Sequence, residues 1–204
     1  MNIALDLDGV LADLHSAIVQ HTDYSVEDFK TYGQWDDKEH FYTEAERVWT
    51  DETWSVEPTE SNIGWMSVAL NKHHDVDIVT RTVAPDDVVE TWLDEYGVEY
   101  GSIVRPPDGE YKNSLEYDVY IDDNPYLAGE VDVQYLIDRP WNQTIPAEDD
   151  CIVWNYTPSF TPGPRPSERF DVIKPWVIRI PTLADVVRDL RNWDRNQEEQ
   201  KLLS

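Results

Sequence analysis

The chain has 204 residues, of which 40% are hydrophobic, enough for one α/β domain with a modest insertion. It carries 42 acidic against 16 basic side chains, a formal net charge of −26 at pH 7. Such a field repels the phosphate backbone of nucleic acids and the surface of anionic membranes. The composition therefore argues against a nucleic-acid polymer or a membrane as the partner.

The acidic side chains are spread along the whole chain, and only six of the 16 bases are lysine. This pattern favours a halophilic protein, because the Debye length falls to about 3 Å at 1 M salt and mutual repulsion weakens. An acidic protein that works at ordinary ionic strength is the alternative. The single cysteine, Cys151, excludes an intramolecular disulfide. With no leader pattern and no apolar run of membrane-spanning length, we expect a soluble, cytoplasmic protein.

The amino-terminal third of the chain predicts one strand and two helices. Ile3-Ala4-Leu5 is typical of a buried strand, and residues 11–20 have helical spacing. Residues 21–60 scatter aromatic side chains among acids, and Thr43-Glu-Ala-Glu predicts a helix over 43–50 that begins with a capping box. We interpret residues 21–60 as a small helical cap insertion.

The remainder of the chain alternates strands with helices. Helices are predicted at 63–71 and 86–96, and strands at 76–80, 99–104, 119–121 and 133–137. This alternation predicts an α/β fold with a doubly wound, mostly parallel, Rossmann-like sheet. The core domain would comprise residues 1–20 and 61–204.

The carboxyl-terminal part is rich in proline. Residues 140–181 are predicted as a long loop, in which 176–180 is an edge strand. A closing helix over 182–193 and a frayed tail over 194–204 follow.

Polar side chains follow three of the predicted strands. Asp6 and Asp8 follow the first, Thr80 ends the second, and the pair Asp122-Asp123 follows the strand at 119–121, with Lys112 between the second and this last strand. The carboxyl ends of parallel strands meet at one edge of a sheet, where ligands bind. Clustered carboxylates are costly without a cation, and hard oxygen ligands suit Mg²⁺.

The order of these motifs resembles that of the haloacid dehalogenase-like (HAD) phosphatase superfamily. The matching residues are Asp6-Leu-Asp-Gly-Val, an apolar strand ending in Thr80, Lys112, and Ile121-Asp-Asp. More narrowly, residues 6–13, a lysine ten residues before Asp122, and the run Leu-Ile-Asp-Arg-Pro-Trp-Asn at 136–142 are similar to the 5′(3′)-deoxyribonucleotidases. The resemblance covers roughly residues 1–20, 76–142 and the last helix.

The resemblance implies roles for individual residues. Asp6 would attack phosphorus and form an aspartyl-phosphate, while Asp8 would act as general acid and then general base. Thr80 and Lys112 would hold the phosphoryl oxygens, and Arg81 beside Thr80 could reach the same phosphate.

The same resemblance implies a Mg²⁺ site. The ion would lie between the Asp6 carboxylate, the Asp8 backbone carbonyl and Asp122, with Asp123 as a further ligand or an orienting neighbour.

The implied activity is a 5′-nucleotidase acting on (deoxy)nucleoside monophosphates, with Mg²⁺ as cofactor. A phosphatase for another small phosphorylated metabolite and a non-catalytic phosphate- or metal-binding module are the alternatives. Two departures concern the substrate: Glu110-Tyr111 precedes Lys112 where the family tends to have arginine, and Leu14 stands where it tends to have an aromatic residue. No pattern specifies the oligomeric state.

Further side chains were assigned from local context. Stacking on a base is open to five insertion aromatics, Phe29, Tyr32, Trp35, Phe41 and Tyr42. His73-His74 is expected on the surface, Cys151 as a small apolar residue, Asn124-Pro125 as a turn, and Asp138-Arg139 as structural polar contacts.

Overall fold

The structure, a computed structural model, describes residues 1–29, 31–33, 38–51, 53–146, 150–156 and 175–203. Seven strands form one sheet in the order β3-β2-β1-β4-β5-β7-β6, and every neighbouring pair is parallel. The strands are β1 (Asn2–Leu5), β2 (Asp75–Val79), β3 (Ile103–Val104), β4 (Val119–Asp122), β5 (Val133–Ile137), β6 (Ile152–Asn155) and β7 (Trp176–Ile180). The predicted α/β fold with a parallel, Rossmann-like sheet is confirmed at this level.

The central strands are apolar on both faces. Ile3 and Leu5 of β1 and Ile121 of β4 are fully buried, as is all of β5 to within a few per cent. Near-continuous apolar runs of this kind are typical of parallel strands covered on both sides. The strand order reverses between β1 and β4, which creates the crevice where such sheets bind ligands.

The described residues contain five α-helices: α1 (Leu14–His21), α2 (Lys38–Thr50), α3 (Ile63–Asn71), α4 (Asp86–Glu95) and α5 (Leu183–Leu203). The side chain of Asp13 caps α1 by accepting a hydrogen bond from the Ser16 amide. Helix α4 starts directly after Pro85, with two acids in its first turn. Among the described residues, no helix combines the length and apolar character that crossing a bilayer requires.

The insertion shares its core with the sheet domain. Phe29, Phe41 and Trp49 belong to the same buried cluster as β1 and β4, and α2 packs against α1. The indole of Trp92 on α4 donates a hydrogen bond to the Val56 carbonyl at 2.6 Å. The insertion is therefore packed onto the edge of the domain that carries α1 and α4.

Several predicted boundaries were wrong. Helix α2 begins at Lys38, and Thr43 lies inside it, donating from its hydroxyl to the Glu39 carbonyl. The predicted capping box at Thr43 is therefore absent. Helix α1 starts three residues later than predicted, because residues 8–12 form tight turns. Strand β3 keeps only two of the six residues predicted for it.

The carboxyl-terminal region departs most from the prediction. Strand β7 is an interior strand, paired with β5 on one side and β6 on the other. The predicted loop at 140–181 contains β6 at the sheet edge, while its residues 157–174 lie outside the described part. Helix α5 continues through the predicted frayed tail to Leu203. His74 was also wrongly placed on the surface, because it is 7% exposed.

Candidate functional site

The candidate site lies where β1 and β4 end side by side. Leu5 of β1 is in register with Ile121 of β4, and the Asp6 amide donates to the Ile121 carbonyl at 3.0 Å. Asp6 follows β1 directly, and Asp122 is the last residue of β4. The two strands therefore deliver Asp6, Asp122 and Asp123 to one point at the reversal of strand order.

Three carboxylates form a buried triad at this point. One oxygen from each of Asp6, Asp122 and Asp123 lies within 4.8 Å of the other two. The three residues are only 6%, 2% and 2% exposed. Buried carboxylates at this spacing could hold a metal ion, and they are an unfavourable arrangement without a positive charge.

Lys112 supplies one positive charge to the triad. It begins a short 3₁₀ turn, Lys112–Ser114, and its Nζ atom lies 2.7 Å from both Asp6 Oδ1 and Asp122 Oδ2. With all four groups ionised, the cluster would still carry two negative charges. A divalent cation would neutralise these two negative charges, and carboxylate oxygens are ligands that such an ion prefers.

The pKa values of the cluster reflect the negative charge that Lys112 alone does not compensate. Burial, and then the charge of Asp122, raise the pKa of Asp6 well above its ordinary value. The same two causes raise the pKa of Asp123 to about 7. Burial lowers the pKa of Lys112, but the carboxylates of Asp122 and Asp6 outweigh it and raise that pKa above its usual value.

Hydrogen bonds from neighbouring groups orient each carboxylate. The Leu7 amide donates to Asp6 Oδ1 at 2.8 Å, and the Asn124 amide donates to Asp122 Oδ1 at 2.8 Å. The remaining member, Asp123, accepts from the indole Nε1 of Trp141 at 2.7 Å. Such contacts hold candidate metal ligands in a fixed orientation. Asn124 also caps the turn at Pro125, which confirms the predicted turn role.

Gly9 is required by the close approach of Asp123. Its φ of +79° lies in the left-handed region, and a Cβ atom there would lie 2.2 Å from Asp123 Oδ2. The Gly9 carbonyl accepts a hydrogen bond from Arg139 Nε at 2.7 Å. Arg139 thus stabilises the turn that follows Asp6 and Asp8, which agrees with the prediction that it makes structural polar contacts.

Asp8 lies beside the triad, and its carboxylate is not a member of it. Burial raises the pKa of Asp8 to about 6, against the opposing influence of Thr82, Lys112 and Trp49. Its Oδ1 atom is buried and has no hydrogen-bond partner among the described residues. The structure thus assigns the Asp8 side chain a place outside the candidate metal centre, and the predicted contact through its backbone carbonyl stays a prediction.

Thr80 and Arg81 follow β2, the neighbour of β1. Thr80 is fully buried, and its Oγ1 atom accepts a hydrogen bond from the Thr82 amide at 3.0 Å. Arg81 is exposed, with its guanidinium 5.3 Å from the centre of the Tyr111 ring. Both residues follow the carboxyl end of β2, at the same end of the sheet as the triad.

Trp141 is a site residue that the sequence did not reveal. Besides its bond to Asp123, its ring stacks on His15 with centroids 3.8 Å apart, and its carbonyl accepts from the Tyr32 amide at 2.9 Å. Trp141 therefore joins the insertion to the carboxylate triad. The run at 136–142 contained this tryptophan, but nothing in its spacing indicated a contact 18 residues back along the chain.

The five insertion aromatics considered for base stacking do not share one environment. Phe29 and Phe41 are core residues, 2% and 4% exposed. Tyr32 has intermediate exposure; burial, and then the nearby charges of Asp123, Asp122 and Asp6, raise its pKa well above its ordinary value. Tyr42 is 47% exposed. Trp35 lies outside the described residues.

No protein-family model matches the sequence, and no curated protein matches it significantly. What the chain does must therefore be argued from the site itself.

Proposed function

We propose that the protein is a Mg²⁺-dependent phosphohydrolase of the HAD type that forms an aspartyl-phosphate on Asp6. The observation that carries the proposal is the buried triad of Asp6, Asp122 and Asp123 with Lys112 bridging two of its members. Asp6, Asp122 and Asp123 would hold a divalent cation, which would complete the charge balance of this cluster and offset the charge of a bound phosphate. The residues that surround the triad then divide the chemistry between them.

Asp6 is the nucleophile in this proposal. Its carboxylate is held by Lys112 and by the Leu7 amide, so that its orientation is fixed before substrate binds. A bond forms between a carboxylate oxygen and phosphorus while the bond from phosphorus to the ester oxygen breaks. Water then attacks the phosphorus of the aspartyl-phosphate, which releases inorganic phosphate and restores the Asp6 carboxylate.

Asp8 carries the proton in both steps. As an acid it protonates the leaving ester oxygen, and as a base it takes a proton from the attacking water. Because burial brings the pKa of Asp8 to about 6, both protonation states are accessible near neutral pH. Its buried Oδ1 atom, unpartnered among the described residues, is available for these transfers.

Lys112 and Thr80 bind the transferred phosphoryl group. Lys112 is buried at the centre of the cluster, where a cation stabilises the negative charge of the transition state most strongly. Thr80 accepts a hydrogen bond through its Oγ1 atom and can still donate its hydroxyl proton.

(Deoxy)nucleoside monophosphates are the proposed substrates. The Tyr32 side chain lies near enough to the triad for its charges to act on the Tyr32 hydroxyl, and Tyr126, 49% exposed, has its ring centre 6.1 Å from that of Tyr32. Aromatic faces beside a phosphate site favour a substrate with a flat base, since each stacked base contributes about 1–3 kcal/mol. A phosphatase for another small phosphate ester remains the second candidate, because the catalytic groups act on phosphate alone.

The test is the Asp6→Asn variant, with Asp28→Asn as a control at an exposed turn in the insertion. Phosphate release from a panel of nucleoside and sugar phosphates is measured with Mg²⁺ and again with a chelator. We expect turnover by the parent and by Asp28→Asn, loss of about a thousandfold or more in Asp6→Asn, and suppression by the chelator. Turnover retained in Asp6→Asn would refute the nucleophile, and binding without any turnover by the parent would support a non-catalytic module.

A further inference from the structure

A second charged pocket lies at the opposite end of the sheet from the carboxylate triad. It has a volume of about 290 Å³ and is lined by Lys72, His73, Arg191, Asp194 and Arg195. Residues 72–74 connect the end of α3 to the amino end of β2, whereas the triad lies at the carboxyl ends of β1 and β4. The pocket is therefore separate from the proposed catalytic site.

Positive charge is concentrated in this pocket although the chain as a whole is strongly acidic. Three of the 16 lysine and arginine residues of a protein with net charge −26 line one small cavity. Among the described residues, none of these three pairs with a carboxylate within 4.0 Å. Most arginines elsewhere in the described part do have such a partner, namely Arg47, Arg105, Arg179 and Arg188. The charge of the pocket is thus left for a ligand to neutralise.

Among the described residues that line the pocket, Asp194 is the one acid, and its Oδ2 atom is buried without a hydrogen-bond partner. Its Oδ2 atom lies 3.4 Å from Nε2 of His74, which is 7% exposed. The Nδ1 atom of His74 is also buried and has no hydrogen-bond partner among the described residues. Burial lowers the pKa of His74, and the charge of Asp194 opposes this.

An exposed aromatic face adjoins the pocket. Trp65 and Val68 of α3 are 58% and 42% exposed, and with Lys72 they occupy one side of the helix at i, i+3 and i+7 spacing. The guanidinium of Arg191 lies 5.0 Å from the centre of the Trp65 ring. Cations beside an exposed aromatic ring can bind an anion that also carries a flat group.

We propose that this pocket binds a small anion with two or more phosphate groups, such as a polyphosphate or the phosphate chain of a nucleotide. Two arginines favour phosphate, since the planar guanidinium donates two parallel hydrogen bonds to its oxygens. The pocket is near the lower size limit of small-molecule sites, about 300 Å³. The proposal does not depend on the phosphatase activity, because the two sites share no residue.

The experiment is calorimetric titration of the full chain with inorganic tripolyphosphate, in chelator and at one fixed KCl concentration. Without a divalent ion the carboxylate triad repels the probe, so binding reports on the basic pocket. Arg191→Gln and Arg195→Gln are compared with Arg188→Gln, a control on the same helix whose arginine is paired with Asp185. Asp194→Asn removes the only carboxylate of the pocket.

We expect saturable binding of one tripolyphosphate per chain. Arg191→Gln and Arg195→Gln should each weaken it about tenfold, the loss of one charge-assisted hydrogen bond, while Arg188→Gln leaves it unchanged. Asp194→Asn should tighten binding, because a negative charge leaves the pocket. Absence of saturable binding, binding that survives the Arg191→Gln/Arg195→Gln double variant, or an equal loss in Arg188→Gln would overturn the proposal.

Discussion

Replacing Lys112 with methionine tests the electrostatics of the triad most directly. Methionine keeps much of the length of the side chain and removes the charge that lies 2.7 Å from both Asp6 and Asp122. At an effective dielectric constant of 20, each of these attractions amounts to about 6 kcal/mol. Lysine desolvation offsets much of this sum, and losing one partner of a buried ion pair typically costs about 3–5 kcal/mol of unfolding free energy. We expect the unfolding free energy of Lys112→Met to be lower by this amount, measured in chelator near pH 8.

The loss should depend on pH and on metal in defined directions. Without Lys112, the folded-state pKa values of Asp6 and Asp123 rise further above their unfolded values, so the folded chain binds more protons. The stability of the variant therefore falls as pH rises from about 5 to 8. A divalent cation restores part of the missing positive charge, and added Mg²⁺ should recover part of the loss.

Urea unfolding at pH 5 and pH 8, with chelator and with Mg²⁺, measures these effects. Lys38→Met is the control, because Lys38 is exposed at the start of α2 and its replacement should change stability by less than about 0.5 kcal/mol. A loss below about 1 kcal/mol at pH 8, or one that does not shrink toward pH 5, would refute the electrostatic reasoning.

Three further predictions concern the contacts around the triad. Gly9→Ala should cost about 1–3 kcal/mol and weaken divalent-cation binding by calorimetry, whereas Gly33→Ala, also at positive φ but in open space, should affect stability alone. Trp141→Phe removes the N–H that orients Asp123 and should weaken cation binding about tenfold; unchanged affinity would deny it a positioning role. Burial lowers the pKa of His15 to about 4, so the protein should lose about 2.5 kcal/mol of unfolding free energy, relative to His15→Phe, as pH falls from 6.5 to 4; equal urea-unfolding profiles would contradict this.

The core of the fold could be predicted because its signals are local. β1, β2, β4 and β5 are short, mostly apolar runs, and the acids of the site either end β4 or directly follow β1 and β4. In a parallel sheet, side chains just past the strand ends come together once the order of the strands is known. Asp6, Asp122 and Asp123 could thus be assigned to one site from the strand ends, and the resemblance to the HAD superfamily added Lys112.

The carboxyl-terminal strands could not be placed in the same way. Strand β6 has intermediate exposure at most positions and is embedded in a proline-rich region, so its sequence lacks both an apolar run and clean alternation. Strand β7 is an interior strand only because β6, residues 152–155, pairs with its outer side. The local sequence pattern of β7 does not reveal this pairing. A strand becomes an edge or an interior strand through long-range pairing.

Long-range contacts also explain the site residues that were missed. The bond from Trp141 to Asp123 requires that β4 and β5 be adjacent in register, so that residues after both strands meet. Likewise, the basic pocket joins Lys72 to Arg191 and Arg195 on α5, more than 100 positions away along the chain. Charge counts along the sequence could not find this pocket, because its two halves are each surrounded by acids.

Negative charge in this protein occurs in two environments that respond differently to ions. Surface carboxylates lie in water, where concentrated salt shortens the Debye length and weakens their repulsion regardless of which cation is added. The triad is at most 6% exposed, and buried charges are screened much less by a diffuse ion atmosphere. A monovalent salt can therefore weaken the repulsion among surface carboxylates without weakening the repulsion within the triad, where a cation would have to lie between the oxygens. It follows that the effects of KCl and of a divalent cation on stability are separable, and that only the second should depend on Lys112.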